Sequence, residues 1–347
     1  MKHMNLFTKN IFLSFLIAII SVSNVLTQNK CRILALSGGG DKGAYQAGAI
    51  VGLINNLPAE EVKWDVVTGI SIGSINALAV GVHEVGKESE LTSKLLDEWR
   101  GIDGKHSIYK DWLFGGILRG LLYESGIFNT EPGYNFVRNV LKDYSGLKRD
   151  TIIGVTNLRT GAYQTYSNKD LLTIDDLTNA GMCSSAVPLF FPYCNFKGET
   201  YIDGGVRYGT DIFSGVHRCE DKGFDHKDII LDVVLCSGNV LEEVDPKNLT
   251  SIPILLRYFD ISNYSKTMDD IEDAEHYLNK ITIRYVVSPS KALPSSIFPL
   301  QFNPQQIEEM IQLGQIDAKN KIGLGVGGSY NQMKEIRRQE KAKRFYR

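Results

Sequence analysis

The chain has 347 residues, 43% of them hydrophobic, and a formal net charge of −2. That length can enclose a sizeable core, and the near-neutral balance excludes the global basic field that nucleic-acid binding exploits. No internal repeat, low-complexity block or Pro/Gly-rich linker divides the chain.

Residues 1–28 read differently from the rest. Lys2 and Lys9 precede the apolar run IFLSFLIAIISV, and small polar residues follow it. That order is the pattern of a secretory signal peptide. An uncleaved anchor is the alternative, but the run is short for a bilayer span, which needs about 20 residues. The sequons NLT at Asn248 and NYS at Asn263 fit a secretory route, to the outside or to an organelle lumen.

After the leader, RILALS (32–37) is a continuous apolar strand of the kind buried on both faces. AYQAGAIVGLINNL (44–57) has apolar residues at helical spacing and stops at Pro58. WDVVTGIS is a second strand ending near Ser71, and GSINALAVGVHEVG a second helix. Strand, helix, strand, helix predicts an α/β domain with a parallel sheet and right-handed crossovers. IYKDWLFGGILRGLLYESGIF (108–128) is aromatic and aliphatic, and is read either as a cover or membrane contact for a cleft or as a core segment. TEPGYNFVRNVL predicts a helix capped at Thr130 with Pro132 in its first turn. TIIGVTNL and AYQTYS are two strands across the RTG turn. A short helix breaking before Pro188, a strand ETYIDGGV, and two buried strands, DIILDVVLCS and ITIRYVVS, follow. Between the last two lies an insertion of mixed helical and polar character, 238–280. Near the end, Asn303 caps a helix that has Pro304 at its first position.

The five cysteines, Cys31, Cys183, Cys194, Cys219 and Cys236, have no metal-site spacing, so no metal is expected. An oxidising compartment leaves at least one unpaired. Their apolar surroundings predict buried thiols.

The turn SGGGDKG matches GxGxxG at Gly38, Gly40 and Gly43. A dinucleotide fingerprint also needs an acidic residue at the end of the second strand. Asp65 precedes that strand, and GISIGS stands at its end. A Walker loop is excluded because Ala44 and Tyr45 follow Gly43. GISIG is GxSxG: Gly69 and Gly73 let the backbone turn sharply and lift the Ser71 hydroxyl at a helix N-terminus. The alternative is a serine that caps the second helix. A nucleophilic serine needs N–H donors aimed at the developing oxyanion, and the neighbouring glycine turn supplies them. For the proton there are two routes. His217, His226 or His276 would complete a Ser-His-Asp esterase, but they lie in polar stretches. Asp203 in YIDGGV ends a strand before two glycines, where its carboxylate would bond Ser71 directly; an Asp-Gly-Gly hairpin turn is the alternative.

Taken in order, SGGGDKGAYQAG, GISIGS and YIDGGV resemble the patatin-like phospholipase family. AGMCSSAVPLFFP and FNPQQIEEMIQLGQIDA are similar to further segments of it, so the resemblance spans 32–319. It implies a three-layer α/β/α patatin-like fold with a mainly parallel central sheet over 29–330, followed by a basic tail, 331–347. It implies a Ser71–Asp203 dyad without histidine, an oxyanion hole in the turn of Gly38, Gly39, Gly40, Lys42 and Gly43, and no metal or other cofactor. The implied substrate is an acyl ester of a phospholipid or other glycerolipid, met at a membrane surface; nucleic acid is not an expected partner. A catalytically silent storage or lipid-binding protein of the same fold is the competing class. The run RYGTDIFSG after DGGV departs from the Asn-Asn-x-Pro-like run that the family often has there, so the pocket shape is left open. The basic C-terminus, KEIRRQEKAKRFYR, is expected as a solvated tail, with attraction to anionic lipid as its other reading.

Overall fold

The RILALS run forms the first strand, β1 (Cys31–Leu36), and its side chains alternate between two apolar layers. Leu34 and Leu36 face one, and Ile33 and Ala35 the other, so both faces of the sheet must be covered. The structure is a computed structural model that describes residues 30–241, 243–278, 280–294 and 300–345. The leader expected at 1–28 lies outside them.

The elements after β1 are α1 (Gly43–Asn56), β2 (Val66–Ile70), α2 (Ile72–Gly81), α3 (Glu88–Arg100), α4 (Gly116–Tyr123) and α5 (Glu131–Leu141). Then come β3 (Asp150–Asn157), β4 (Tyr163–Tyr166), α6 (Ile174–Ser184), β5 (Cys194–Phe196), β6 (Glu199–Asp203) and α7 (Ile212–Asp221). The last are β7 (Ile229–Val234), α8 (Ser251–Tyr277), β8 (Thr282–Val287), α9 (Pro304–Gly323) and α10 (Gly328–Phe345). The sheet order is β5-β6-β3-β2-β1-β7-β8, with β4 paired to β3. Strands β3, β2, β1, β7 and β8 are mutually parallel, and β4, β5 and β6 make the antiparallel pairs. Helices α1, α2, α3, α5, α6 and α9 supply the core on one face, and α7, α8 and α10 on the other. This is the expected three-layer α/β/α fold with a mainly parallel sheet.

Local chemistry explains most boundaries. Asn303 caps α9 by accepting the N–H groups of Gln305 and Gln306 at 2.9 and 3.2 Å. Thr173 and Asp176 form a reciprocal capping box on α6. At α5 the cap differs from expectation: Asn129 Oδ1, not Thr130, takes the Glu131 N–H at 2.8 Å. Helix α8 accounts for the helical character of the 238–280 insertion, and its apolar residues serve two surroundings. Tyr264, Met268 and Ile271 enter the core beneath the sheet, while Leu256 and Phe259 pack against the opposite layer.

Two sequence expectations are corrected. Four cysteines are not thiols: Cys31 pairs with Cys219 and Cys183 with Cys194, which leaves Cys236 as the buried thiol. The C-terminal stretch is not a solvated tail. It is the docked helix α10, with Met333 fully buried and Arg337 bonded to Glu272 and Asp269 of α8. Lys334 and Lys341 pair with Glu275 and Glu272, so these basic groups are matched within the fold.

Candidate active site

Register brings the three motifs to one end of the sheet. Leu36 of β1 lies opposite Gly69 of β2, so the glycine turn and Ser71 leave adjacent parallel strands side by side. Ile70 lies opposite Gly154 of β3, and Val155 lies opposite Asp203 of β6. The antiparallel strand β6 therefore delivers its last residue beside the end of β2.

Ser71 sits in a sharp elbow, at φ 54° and ψ −127°. That left-handed backbone is strained for a non-glycine residue and is characteristic of functional turns. A Cβ at Gly69 would meet the backbone of Gly73, and one at Gly73 the carbonyls of Leu36 and Ser37, so both elbow positions admit only glycine. Ser184 Oγ holds the elbow by accepting the Ser71 N–H at 2.8 Å. The Cys183–Cys194 disulfide ties that end of α6 to β5, whose Cys194 pairs with Tyr201 two residues before Asp203.

Ser71 Oγ donates to Asp203 Oδ2 at 2.7 Å, and Asp203 Oδ1 accepts the Gly205 N–H at 2.6 Å. Asp203 ends in a single helical turn, Gly204–Val206, and not in a hairpin. Burial raises its pKa to about 6 against the opposing pull of Ser71, the Gly205 N–H and the Lys266 charge. The histidines expected for a triad lie elsewhere. His217 is exposed, His226 sits 2.5 Å from Glu220, and His276 is exposed at the end of α8. None lines either cavity at Ser71.

The glycine turn divides into donors and anchors. The Gly38 N–H is spent on Gly209 O at 3.0 Å, and the Lys42 N–H on Gly39 O at 3.3 Å. Gly43 is a packing position, because a Cβ there would strike Ile72 and Trp99. The Gly38 and Lys42 N–H groups are therefore engaged within the fold. The N–H groups of Gly39 and Gly40 have no partner among the described residues. Gly40 has φ 63°, and a Cβ on Gly39 would lie 2.1 Å from Cys236 Cβ. A buried polar chain fixes the turn. Gln46 Nε2 donates to Ser37 O and Val234 O at 3.2 and 3.1 Å, Asn76 Nδ2 to Gln46 Oε1 at 2.9 Å, and Trp99 Nε1 to Asn76 Oδ1 at 2.9 Å.

Helix α8 contributes residues that the sequence reading did not find. Lys266 Nζ donates to Gly205 O in the turn after Asp203. Asp270 accepts the N–H groups of Gly209 and Thr210 at 2.7 and 2.8 Å. The divergent RYGTD run is thus held from α8. Nothing local in the insertion marks these two residues; only the tertiary packing does.

Ser71 stands where two cavities meet. One is narrow and apolar, about 80 Å³, between residues such as Ile75, Leu78, Trp99, Val137 and Met182. The other is an open cleft of about 420 Å³ walled by the glycine turn, Asp203 and α8. Asn263 of the NYS sequon lines this cleft from within α8. A glycan there would obstruct it. Among the described residues no group of three His, Cys, Asp or Glu side chains converges as a metal site.

The segment 108–128 is divided between surface and core. Tyr109, Ile127 and Phe128 are buried, but Leu113, Phe114, Leu118, Leu122 and Tyr123 on and before α4 are exposed, Phe114 by 84%. The core reading fails for this middle part. The Ile127 and Phe128 N–H groups bond Leu189 O and Phe190 O, so the apolar patch adjoins the 187–191 wall of both cavities.

A search of curated proteins finds no match. Among solved structures, VipD from Legionella pneumophila is similar over 86% of this chain and 67% of its own, with 14% identity and a TM-score of 0.41. The family model for patatin-like phospholipase matches residues 34–214, just over half of the chain, and this stretch contains the glycine turn, the elbow and the Asp203 strand end. The chain belongs to the patatin-like phospholipase family.

Proposed function

We propose that this protein hydrolyses fatty acyl esters of phospholipids or other glycerolipids through an acyl-serine intermediate on a Ser71–Asp203 dyad. The observation that carries the reading is the 2.7 Å bond from Ser71 Oγ to a buried carboxylate, at the junction of an apolar cavity and a polar cleft.

The acyl chain lies in the apolar cavity with its ester carbonyl at Ser71. Asp203 accepts the hydroxyl proton as Oγ bonds the carbonyl carbon. The carbonyl oxygen becomes an oxyanion facing the Gly39 and Gly40 N–H groups. The C–O bond to the alcohol breaks, and the proton on Asp203 passes to the leaving alkoxide. Water then adds to the acyl-serine, gives its proton to Asp203, and Ser71 recovers it as the fatty acid leaves. An alkoxide is easier to expel than an amine anion, which suits a base without histidine.

The substrate is drawn from a membrane, and the exposed patch of α4 is the contact surface. The two disulfides and the leader pattern support passage through an oxidising secretory compartment. Sequencing the N-terminus of protein recovered from medium or organelle lumen tests that; an intact Met1 on cytosolic protein contradicts it.

The test of the chemistry is an acyl-ester panel. Ser71→Ala and Asp203→Asn should each abolish hydrolysis in folded protein, while His217→Ala, His226→Ala and His276→Ala retain it. A folded histidine variant as inactive as Ser71→Ala would replace the dyad with a triad. A wild type inactive on every ester but able to bind lipid would make this a silent lipid-binding member of the family.

A further inference from the structure

A second polar cavity, about 470 Å³, lies outside the C-terminal ends of β7 and β8, against the far side of the glycine turn. The open side of parallel strand ends is where α/β folds bind ligands. This volume suits a small polar group. Its wall has four cationic side chains, Lys42, Arg257, Lys291 and Lys321, and one carboxylate, Asp260. Lys321 also donates to Gln332 Oε1 at 2.8 Å, and Asp317 stands near it, bonded to Tyr45 and the Ser290 N–H. Asp41 stands near Lys42 and Asp260 as well, so four cations face three carboxylates and the balance stays positive. Two further wall residues, Ser237 and Asn239, each carry a buried side-chain oxygen that has no hydrogen-bond partner among the described residues. Buried polar atoms normally have one, and a hydroxyl can serve both because it donates and accepts.

The cavity adjoins the cleft at Ser71. Gly39, Lys42, Asp260 and Asn263 belong to both walls. A head group joined through a glycerol backbone to an acyl ester at Ser71 would enter it past these shared residues. We infer that this cavity receives the anionic, hydroxyl-bearing head group of a phospholipid substrate, a phosphorylated polyol, with the cations on the phosphate and Ser237 and Asn239 on the hydroxyls. The inference rests on the hydrolase reading above and narrows its substrate class from glycerolipids in general to phosphopolyol lipids.

The test uses monomeric short-chain lipids, so that membrane-surface charge does not enter. Dihexanoyl phosphatidylglycerol, phosphatidylcholine and diacylglycerol carry the same acyl esters and differ in what occupies the third position. Wild type should prefer phosphatidylglycerol. The double variant Lys291→Gln/Lys321→Gln should lose about ten-fold in kcat/KM on phosphatidylglycerol, with diacylglycerol turnover unchanged. Lys291→Gln alone, at an exposed position, should lose part of this and keeps the test independent of folding. Equal loss on all three lipids, or no loss on any, overturns the inference.

Inactivity of wild type on all three lipids overturns the hydrolase reading instead, and calorimetric titration then decides the cavity by itself. Glycerol 3-phosphate should bind wild type and bind the double variant about ten-fold more weakly. No binding to wild type, or inorganic phosphate binding as tightly as glycerol 3-phosphate, overturns the head-group assignment.

Discussion

Ser184 Oγ accepts the main-chain N–H of Ser71 at 2.8 Å and donates its own proton to Gly154 O at 2.6 Å. One buried hydroxyl thus joins the strained elbow to the neighbouring strand β3. The elbow conformation is unfavourable for serine by roughly 1–3 kcal/mol, and such geometry persists only where the surroundings over-determine it.

Ser184→Ala would leave the Ser71 N–H and Gly154 O buried and unpaired. Stability should fall by about 1–3 kcal/mol in denaturant unfolding. The kcat on a soluble ester should fall by roughly ten-fold with KM little changed, and Ser184→Thr should restore much of it. An unchanged kcat in Ser184→Ala would show that the elbow holds its shape without this bond.

On the proposed dyad Asp203 must be ionised to take the Ser71 proton, and its pKa is raised to about 6 by burial. Activity should therefore be lost as pH falls through about 6 and be full above it. The Lys266 charge holds this pKa down. Removing it in Lys266→Met should move the acid limb to higher pH, while Lys266→Arg keeps it near the wild-type position. A pH–kcat/KM profile on a soluble ester checks both. An acid limb that does not move in Lys266→Met would leave the lysine with only its bond to Gly205 O.

Gly39→Ala places a Cβ 2.1 Å from Cys236 Cβ, so the turn must shift and its N–H groups lose their aim. Loss of one oxyanion donor typically costs about 10²–10³ in kcat, and the variant should fall in that range with lipid binding retained. Cys236→Gly removes the atom in the way. Part of the activity should return in the Gly39→Ala/Cys236→Gly pair, measured as acyl-enzyme formation with a chromogenic ester. No recovery would mean that the alanine harms catalysis by something other than this contact.

Phe114→Asp and Leu118→Asp put charge on the exposed patch without touching the core. They should reduce turnover of phospholipid in vesicles by at least ten-fold, since two buried aromatic or aliphatic side chains contribute several kcal/mol to insertion. A soluble short-chain ester should be hydrolysed as before. Equal rates on vesicles in wild type and variant would remove α4 from the membrane contact.

What the sequence determined by itself was local. The apolar runs of β1, β2, β7 and β8, the Asn303 cap, and the glycine turn and elbow are written in contiguous residues whose backbone preferences act over one or two turns. They suffice for a parallel α/β fold and for Ser71 as a candidate nucleophile, whereas Asp203 was joined to it by the resemblance of YIDGGV to the family motif. Tertiary structure decided the rest, because pairing across a sheet depends on register and on which groups other segments satisfy. The Ile70–Gly154 and Val155–Asp203 registers carry the carboxylate to the serine from 132 residues away. Gly38 leaves the donor set only because Gly209 O reaches its N–H. Lys266 and Asp270 sit in an insertion whose helical character was legible but whose docking was not, and they matter only because α8 lies across the turn after Asp203. The cysteine pairing and the docking of α10 are contacts of the same long-range kind. Spacing along a chain cannot encode them, since they arise from closing loops through a shared core.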